Sequence, residues 1–459
     1  MADRRGAART VAVVGGGFSG LLTAIHLLER DPAVIVRLVE RAPRFGRGRA
    51  YAVGNPDHLL NVRAANMSAF PDRPGEFQAW LAAQGEDAGP DAFVSRRRYG
   101  DYLQGLLRTA MRGPGARGRL LLEQDEAVAV VPDDDDAGGG GGGGGYQVRL
   151  SVGRSFRADA VVLAVGFGPP GRPAFAPPDI LSRRDYVGDP WRGDLAGLPE
   201  GEILLIGSGL TMIDVLLSLD RPGREFTVLS RHGLLPQTHA SAATVAPPEG
   251  PMETPRRALR TLRAHARAVG WRSAVDSIRP ATTAIWRSWP EAEQRRFLRH
   301  LRARWDVHRH RMAPWVASQL GAAIWGERLE ILAGRILRLE PCEGGFEATL
   351  RPRGQRHPIT RLFRAVVNCM GPTGDLPSNP LLADLLARGL AHPDALRLGL
   401  AVDAAGRLTG GGDAPSPGLY AVGPLTRGAF WEAVAVPDLR LRTASLARVV
   451  LADLAAKPA

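Results

Sequence analysis

With 459 residues, 44% of them hydrophobic and 23% charged, the chain is long enough for two or three domains with substantial cores. Its net charge of +12 comes from arginine, because Lys457 is the single lysine; a P-loop and a Schiff-base site, which each need a lysine amine, are excluded. The two cysteines, Cys342 and Cys369, form no CxxC pair, which excludes a disulfide framework, a redox dithiol and a structural zinc site.

Residues 10–14 are an apolar run, followed by the turn GGGFSG and a segment with leucine and alanine at helical spacing. Asp31-Pro32 stops that helix, and residues 34–39 read as a second buried strand that ends at Glu40. Residues 76–83 and 99–111 read as helices, and 120–131 with 146–152 as a β-ribbon. The ribbon's connection, four aspartates at 133–136 and eight glycines at 138–145, cannot bury a core and is expected to be a mobile hairpin tip. A strand at 160–165 ends in GFGPPGRP. A second strand–turn–helix–strand pattern opens at 203–206, passes through GSGLTM and reaches 226–229. From 255 to about 324 the chain is rich in arginine and tryptophan at helical spacing, broken by Pro280 and Pro290, and reads as an insert of two to four helices. Strands are expected again at 329–339, 346–351, 364–369 and 418–422, and a closing helix at about 438–454.

An arginine-only excess matches a GC-rich coding composition, so it reads as a solvated surface with sites for anionic cofactors rather than as a nucleic-acid surface. No stretch of 18 or more apolar residues occurs, and the basic start runs straight into a strand without a cleavage site. The expectation is a cytoplasmic protein with neither membrane nor nucleic acid as partner. His308 and His310, two apart on a helix, point to different sides and read as surface histidines.

Gly15-x-Gly17-x-x-Gly20 follows a strand and opens a helix, and Glu40 closes the next strand. The first glycine permits the tight turn, the second lets backbone approach a pyrophosphate, and the third lets helix and strand pack closely. Glu40 is placed to accept from a ribose diol. This is a dinucleotide fingerprint. Gly207-x-Gly209 repeats it, with Met212 in the third position and Ser230-Arg231-His232 where the first unit has its acid. Met212 is expected to hold the second helix slightly further from its strand. An acid there would repel a 2′-phosphate, whereas Ser230 and Arg231 can donate to one, so NADPH is preferred over NADH. Two such units imply a hydride donor and an electron-holding acceptor, and with no metal or dithiol that acceptor is a flavin. The fold class expected is α/β: two Rossmann-like dinucleotide-binding domains with a helical insert. Residues 1–170 form the first part of the FAD domain, 171–370 the NAD(P)H domain with its insert at about 255–325, and 371–459 the return segment.

With DAVVLAVGF at 159–167, the two motifs resemble two-dinucleotide-binding flavoproteins of the monooxygenase and reductase type. The blocks LLNVRAANMSAFPDRPGEFQAWL, YVGDPW, SRHGLLPQTH, WDVHRHRMAP and GPLTRGAFWEAVAVPDLR resemble a family that includes FAD-dependent urate hydroxylases and aspartate N-monooxygenases. That resemblance implies FAD contacts at Gly15, Gly17, Phe18, Ser19, Gly20, Glu40 and Gly166, and NADPH contacts at Gly207, Gly209, Leu210, Ser230 and Arg231. Gly423-Pro424 stands where the wider class has Gly-Asp, so a ribitol contact is expected from the Gly423 backbone. The Baeyer–Villiger fingerprint FxGxxxHxxxW is absent. Asn61, Asn66 and Ser68 offer polar groups to the isoalloxazine edge or stabilise their own loop. Arg63, His239, Trp431 and Glu432 are the candidate substrate contacts. The positive end of the last helix, after Ala435, would stabilise negative charge on the flavin.

The function expected is an FAD-dependent, NADPH-using monooxygenase that passes one oxygen atom to a small nitrogenous substrate, a purine such as urate or an amino acid. Its rivals are an NAD(P)H-dependent flavin oxidoreductase without oxygen insertion and a non-catalytic dinucleotide-binding protein.

Overall fold

The computed structural model describes residues 9–113, 118–133, 144–411 and 414–456. The chain divides into two units, one from 1–54, 63–168 and 374–459, the other from 55–62 and 169–373. The short excursion 55–62, read from the sequence as part of the first domain, belongs to the second unit. Its His58 Nε2 lies 2.9 Å from the Asp214 carbonyl, and the Asn61 carbonyl lies 3.0 Å from His239 Nε2.

The first unit opens with β1 (Thr10–Val14), α1 (Phe18–Arg30) and β2 (Ile35–Val39). Val11, Ala12 and Val13 are fully buried, as expected of a parallel strand covered on both faces. Then come α2 (Gly48–Tyr51), α3 (Glu76–Ala83) and α4 (Arg96–Arg112). The α4 helix starts earlier than its apolar spacing suggests, because Ser95 Oγ accepts from the Arg97 amide and caps a polar first turn. The stretch 120–131 is not one ribbon arm. β3 (Leu120–Glu123) joins the main sheet parallel to β2, and Asp125 breaks the run by turning its carboxylate onto the Glu126 amide and the Ser151 hydroxyl. β4 (Ala127–Pro132), β5 (Tyr146–Leu150) and β6 (Ser155–Ala158) form a separate antiparallel sheet. Most of the Asp/Gly connection, 134–143, lies outside the described residues. β7 (Ala160–Leu163) returns beside β1.

The second unit contains β8 (Tyr186–Val187), β9 (Gly201–Ile206), α5 (Leu210–Leu219) and β10 (Arg224–Ser230). The insert holds six helices rather than two to four: α6 (Pro255–Val269), α7 (Trp271–Ser277), α8 (Thr282–Ser288), α9 (Glu291–His300), α10 (Arg302–Arg309) and α11 (Pro314–Trp325). Gly270 at φ +80° and Pro314 add breaks to those at Pro280 and Pro290. β11 (Leu329–Cys342), β12 (Gly345–Pro352), β13 (Ile359–Phe363) and β14 (Ala365–Asn368) follow. The sheet order is β13-β12-β11-β10-β9-β14-β8, parallel from β11 to β8 and antiparallel at the β12–β13 edge.

The return segment gives the first unit α12 (Pro380–Ala387), β15 (Arg407–Thr409), β16 (Pro415–Ala421) and α13 (Val436–Ala456), and α13 packs on α1. Its main sheet runs β15-β16-β7-β1-β2-β3. Among the described residues no helix is long and apolar enough to cross a membrane, and no group of three or more His, Cys, Asp or Glu could hold a metal.

Candidate functional site

In the first unit the glycines stand where side chains cannot. Gly15 has φ +105°, and a Cβ there would lie 2.3 Å from the Ala164 carbonyl oxygen; one on Gly20 would lie 1.8 Å from that of Gly15. Gly17 precedes α1 without a side-chain cap, so the amides of Phe18, Ser19 and Gly20 open the helix with no carbonyl partner from the preceding turn. Such an end is a ready anion site. Glu40 is fixed by two amides, Gly16 N–H to Oε2 at 2.8 Å and Ala42 N–H to Oε1 at 2.9 Å, which leaves each oxygen a lone pair for a further donor. Beside it opens a cleft of about 410 Å³, solvent included, lined in part by Gly15, Glu40, Asp125, Ala127, Val165 and Asn379.

A second glycine loop, Gly46-Arg47-Gly48, completes the turn. The Gly46 amide donates to the Gly16 carbonyl at 2.6 Å, and a Cβ on Gly17 would lie 3.3 Å from Gly48 Cα. Between them Arg47 is buried and paired with Asp101. The signal was present as Gly46-Arg47-Gly48, with both glycines at positive φ. Gly166, at φ +73°, follows the Ala164-Val165 segment that faces Gly15, and a Cβ on Gly423 would lie 2.9 Å from Ser19 Oγ. The structure therefore brings Gly15, Gly17, Ser19, Gly20, Glu40, Gly166 and Gly423 to one end of one sheet.

Other candidates are otherwise engaged. Ser68 is fully buried and donates to the Arg73 carbonyl at 2.5 Å, so its hydroxyl secures its own loop instead of being offered to a ligand. Asn66 is exposed, and Asn61 belongs to the second unit. Arg63 Nε lies 3.1 Å from the largely exposed carboxylate of Asp91. Trp431 and Glu432 are both buried, with the Arg427 guanidinium 4.8 Å from the Trp431 ring centre.

In the second unit Gly207 has φ +106°, and a Cβ there would lie 3.0 Å from the Cys369 carbonyl oxygen. Gly209 caps α5, which begins at Leu210, and a Cβ on Gly209 would meet nothing within 4 Å. Met212 is fully buried, so the third position is filled by a core side chain. The Ser230 and Ser208 hydroxyls lie 2.8 Å apart, and Ser230 Oγ accepts from the Gly233 amide at 3.0 Å. Arg231 is exposed at the strand end. Partial burial and then the cations Arg231, Arg353 and Arg304 push the His232 imidazole below its ordinary value. Arg304 and Arg353 carried no local signal; α10 and the end of β12 bring them in. His239 donates from Nε2 to the Asn61 carbonyl, which fixes its tautomer and ties 55–62 to this unit.

The glycine contacts, the unbonded helix amides and the two-armed Glu40 all fit a dinucleotide in the first turn. Residues 12–168 match the model of a family described as FAD-NAD(P)-binding. This part of the chain is thus similar to an FAD-NAD(P)-binding domain. The ornithine hydroxylase of Pseudomonas aeruginosa superposes with a TM-score of 0.68 at 16% identity, covering 97% of this chain and 100% of that one. The cadaverine monooxygenase of Erwinia amylovora, with FAD bound, gives 0.68 at 15%, covering 96% and 94%. The fold is thus that of flavin monooxygenases with two dinucleotide-binding units. A Baeyer-Villiger monooxygenase from Streptomyces coelicolor is 27% identical over 250 residues, 51% of this chain and 37% of its own. Pentalenolactone D synthase from Streptomyces arenae is 26% identical over 219 residues, 45% of this chain and 32% of its own. The chain thus spans about a third of the length of these curated relatives.

Proposed function

We propose that the chain is an FAD-dependent, NADPH-using monooxygenase that N-hydroxylates a small amine or amino acid. The observation that carries this reading is the difference in charge between the two strand ends, each within its own unit: the acidic Glu40 closes the first turn and the basic Arg231 the second, in a fold shared with ornithine and cadaverine monooxygenases. FAD, when bound, supplies electron storage and oxygen activation, and NADPH supplies the hydride. In this reading the amides that open α1 hold the FAD pyrophosphate and Glu40 its adenosine ribose. The Gly207–Gly209 turn holds the NADPH pyrophosphate, and Arg231, with Arg304 and Arg353, holds its 2′-phosphate. The substrates borrowed from the resemblance, urate and aspartate, stand beside ornithine, lysine and cadaverine in the test.

The test is NADPH oxidation in air by FAD-loaded protein, with each of those five compounds added singly. A compound that raises the rate and leaves with a mass gain of one oxygen atom supports the reading. Bleaching of the flavin by NADPH with no compound oxygenated would favour an oxidoreductase that reduces another acceptor. No bleaching would overturn the second nucleotide site.

A further inference from the structure

The positive charge of the chain is concentrated in one place. Residues 255–325 hold 15 arginines against Asp276, Glu291, Glu293 and Asp306, a net +11. Set against 59 basic and 47 acidic residues overall, this leaves 44 and 43 for the rest of the chain, which is nearly neutral. A coding bias would spread arginine excess throughout, so it does not account for this insert.

Much of the excess sits on α6, which contains no acidic residue. Arg256, Arg260, Arg263 and Arg267 recur at i, i+4, i+7 and i+11, one face of the helix, and all four are exposed. Among the described residues none of the four has a hydrogen-bond or ion-pair partner, whereas their neighbour Arg257 reaches Glu253. Leu259 and Leu262 are half-buried, and α6 packs on α7 and α9. Like charges at this spacing cost a helix stability. The apolar face is already turned to protein, which is not how a helix lies on a lipid surface.

The insert leaves the sheet at the carboxyl end of β10, the end at which doubly wound sheets take nucleotides. It is tied there: Arg272 of α7 donates twice to the Thr238 carbonyl, at 3.1 and 2.9 Å, and the Val307 carbonyl of α10 accepts from the Gln237 amide at 2.8 Å. Arg353 follows β12, and its amide donates to the carbonyl of Ala333, the β11 residue paired with Ser230. Two helices of the insert are therefore tied to the segment that follows Arg231, α6 packs on one of them, and Arg304 of α10 acts on His232 beside Arg231 in sequence.

We infer that the insert is an electrostatic collector for NADPH: its arginine face draws the phosphorylated dinucleotide toward the β10 edge and speeds its capture relative to NADH. This rests on the NADPH reading above. The 2′-phosphate adds about −1.5 to −2 of charge near pH 7, so a positive field acts more strongly on NADPH before any contact forms. Steering of this kind raises association rates by roughly 10- to 1,000-fold and fades as the Debye length contracts with salt. It acts on the association rate and leaves dissociation to the groups in contact.

The experiment measures stopped-flow binding of NADP+ and NAD+ to FAD-loaded protein, followed by tryptophan fluorescence, at ionic strengths from about 20 to about 300 mM, where screening spans this effect. The expected result is an NADP+ association rate that falls at least about tenfold over that range, with a shallower fall for NAD+. The variant R256E/R260E/R263E/R267E should lower the low-salt association rate by about tenfold and flatten its salt dependence, with the dissociation rate changed less than about twofold. The milder R256Q/R260Q/R263Q/R267Q should give an intermediate effect, and the flavin content and melting temperature of both variants confirm folding. An unchanged association rate in the folded variants, or a change confined to dissociation, overturns the inference while the NADPH reading stands. If NADP+ does not bind at any salt concentration, both fall. A single-stranded oligonucleotide that binds through these arginines more tightly than NADP+ would also overturn it, in favour of a nucleic-acid surface.

Discussion

The Gly15 carbonyl oxygen lies 1.8 Å from the point a Cβ on Gly20 would occupy. The third glycine is therefore a packing requirement of the strand–helix turn, independent of any ligand. Gly20→Ala must push α1 away from β1 and disturb the amides that open the helix. The expected outcome is folded or partly folded protein with less than about a tenth of the normal flavin content, an effect equivalent to more than about 1.4 kcal/mol in binding. The ratio of flavin to protein absorbance checks this, with circular dichroism to separate loss of flavin from loss of fold.

Gly209 offers the converse test. A Cβ there meets nothing within 4 Å, and its backbone is extended at φ −86°, so Gly209→Ala costs the fold nothing sterically. If the turn takes the NADPH pyrophosphate, the added methyl group stands where the phosphates approach. NADP+ affinity should fall by about tenfold or more with the melting temperature unchanged. Calorimetric titration with NADP+ measures the first quantity and a thermal melt the second. Unchanged affinity would mean that the second turn does not hold the dinucleotide.

Glu40 braces its turn through two amides, from Gly16 and Ala42. Glu40→Gln keeps the shape and can keep its carbonyl oxygen on the buried Gly16 amide, but its NH2 group then faces the exposed Ala42 amide and the negative charge is lost, at a cost of about 0.5–1.5 kcal/mol. Apoprotein carrying Glu40→Gln should bind FAD at least about tenfold more weakly in calorimetric titration. An FAD affinity equal to that of the native protein would show that neither the brace nor the ribose contact matters.

The parts of this architecture written as local patterns were legible in the sequence. β1, α1, β2 and the second turn follow from apolar runs interrupted by glycine, because a buried parallel strand and a core helix leave continuous apolar signatures. The break between β3 and β4 was hidden because the short polar run Glu123-Gln124-Asp125-Glu126 between two apolar runs reads equally as exposed strand positions. The α12 helix went unread because its signals, the Asn379 cap and Pro380, are also loop signals. Candidate side chains divided by the same logic. Glycines in tight turns announce themselves through spacing. The direction in which Ser68 points, or the arrival of Arg304 and Arg353 within reach of His232, depends on tertiary contacts with no local trace.

The cation cluster at the end of β10 predicts the nucleotide preference. Arg231, Arg304 and Arg353 all lower the proton affinity of His232, so an anion placed among them meets three guanidinium charges. Arg231→Ala should weaken 2′,5′-ADP by about tenfold while 5′-ADP changes less than about twofold, and Arg353→Ala should give a smaller loss of the same sign. Titration of both nucleotides against both variants measures it. Equal losses for the two nucleotides would place Arg231 on the 5′-phosphate or adenosine that they share, and no loss would remove it from the site.

His26 on α1 sets an acid limit on the first unit. Burial, and then the nearby Arg30 charge, hold its pKa at about 4 against an ordinary value of 6.5. Arg30 Nη1 lies 2.9 Å from Nδ1, so the neutral ring accepts there. Below pH 6.5 the unfolded chain takes up a proton that the folded protein refuses until about pH 4. The contribution of His26 is therefore fully favourable above pH 6.5 and declines as the pH falls toward 4, by about 2 kcal/mol at pH 5. Urea unfolding followed by flavin release at pH 7 and pH 5 should show that loss, on top of any from the carboxylates. His26→Gln cannot be protonated in this range, so its difference between the two pH values should be smaller by about the same 2 kcal/mol. Identical differences in both proteins would mean that His26 titrates in the folded state as it does in the unfolded chain.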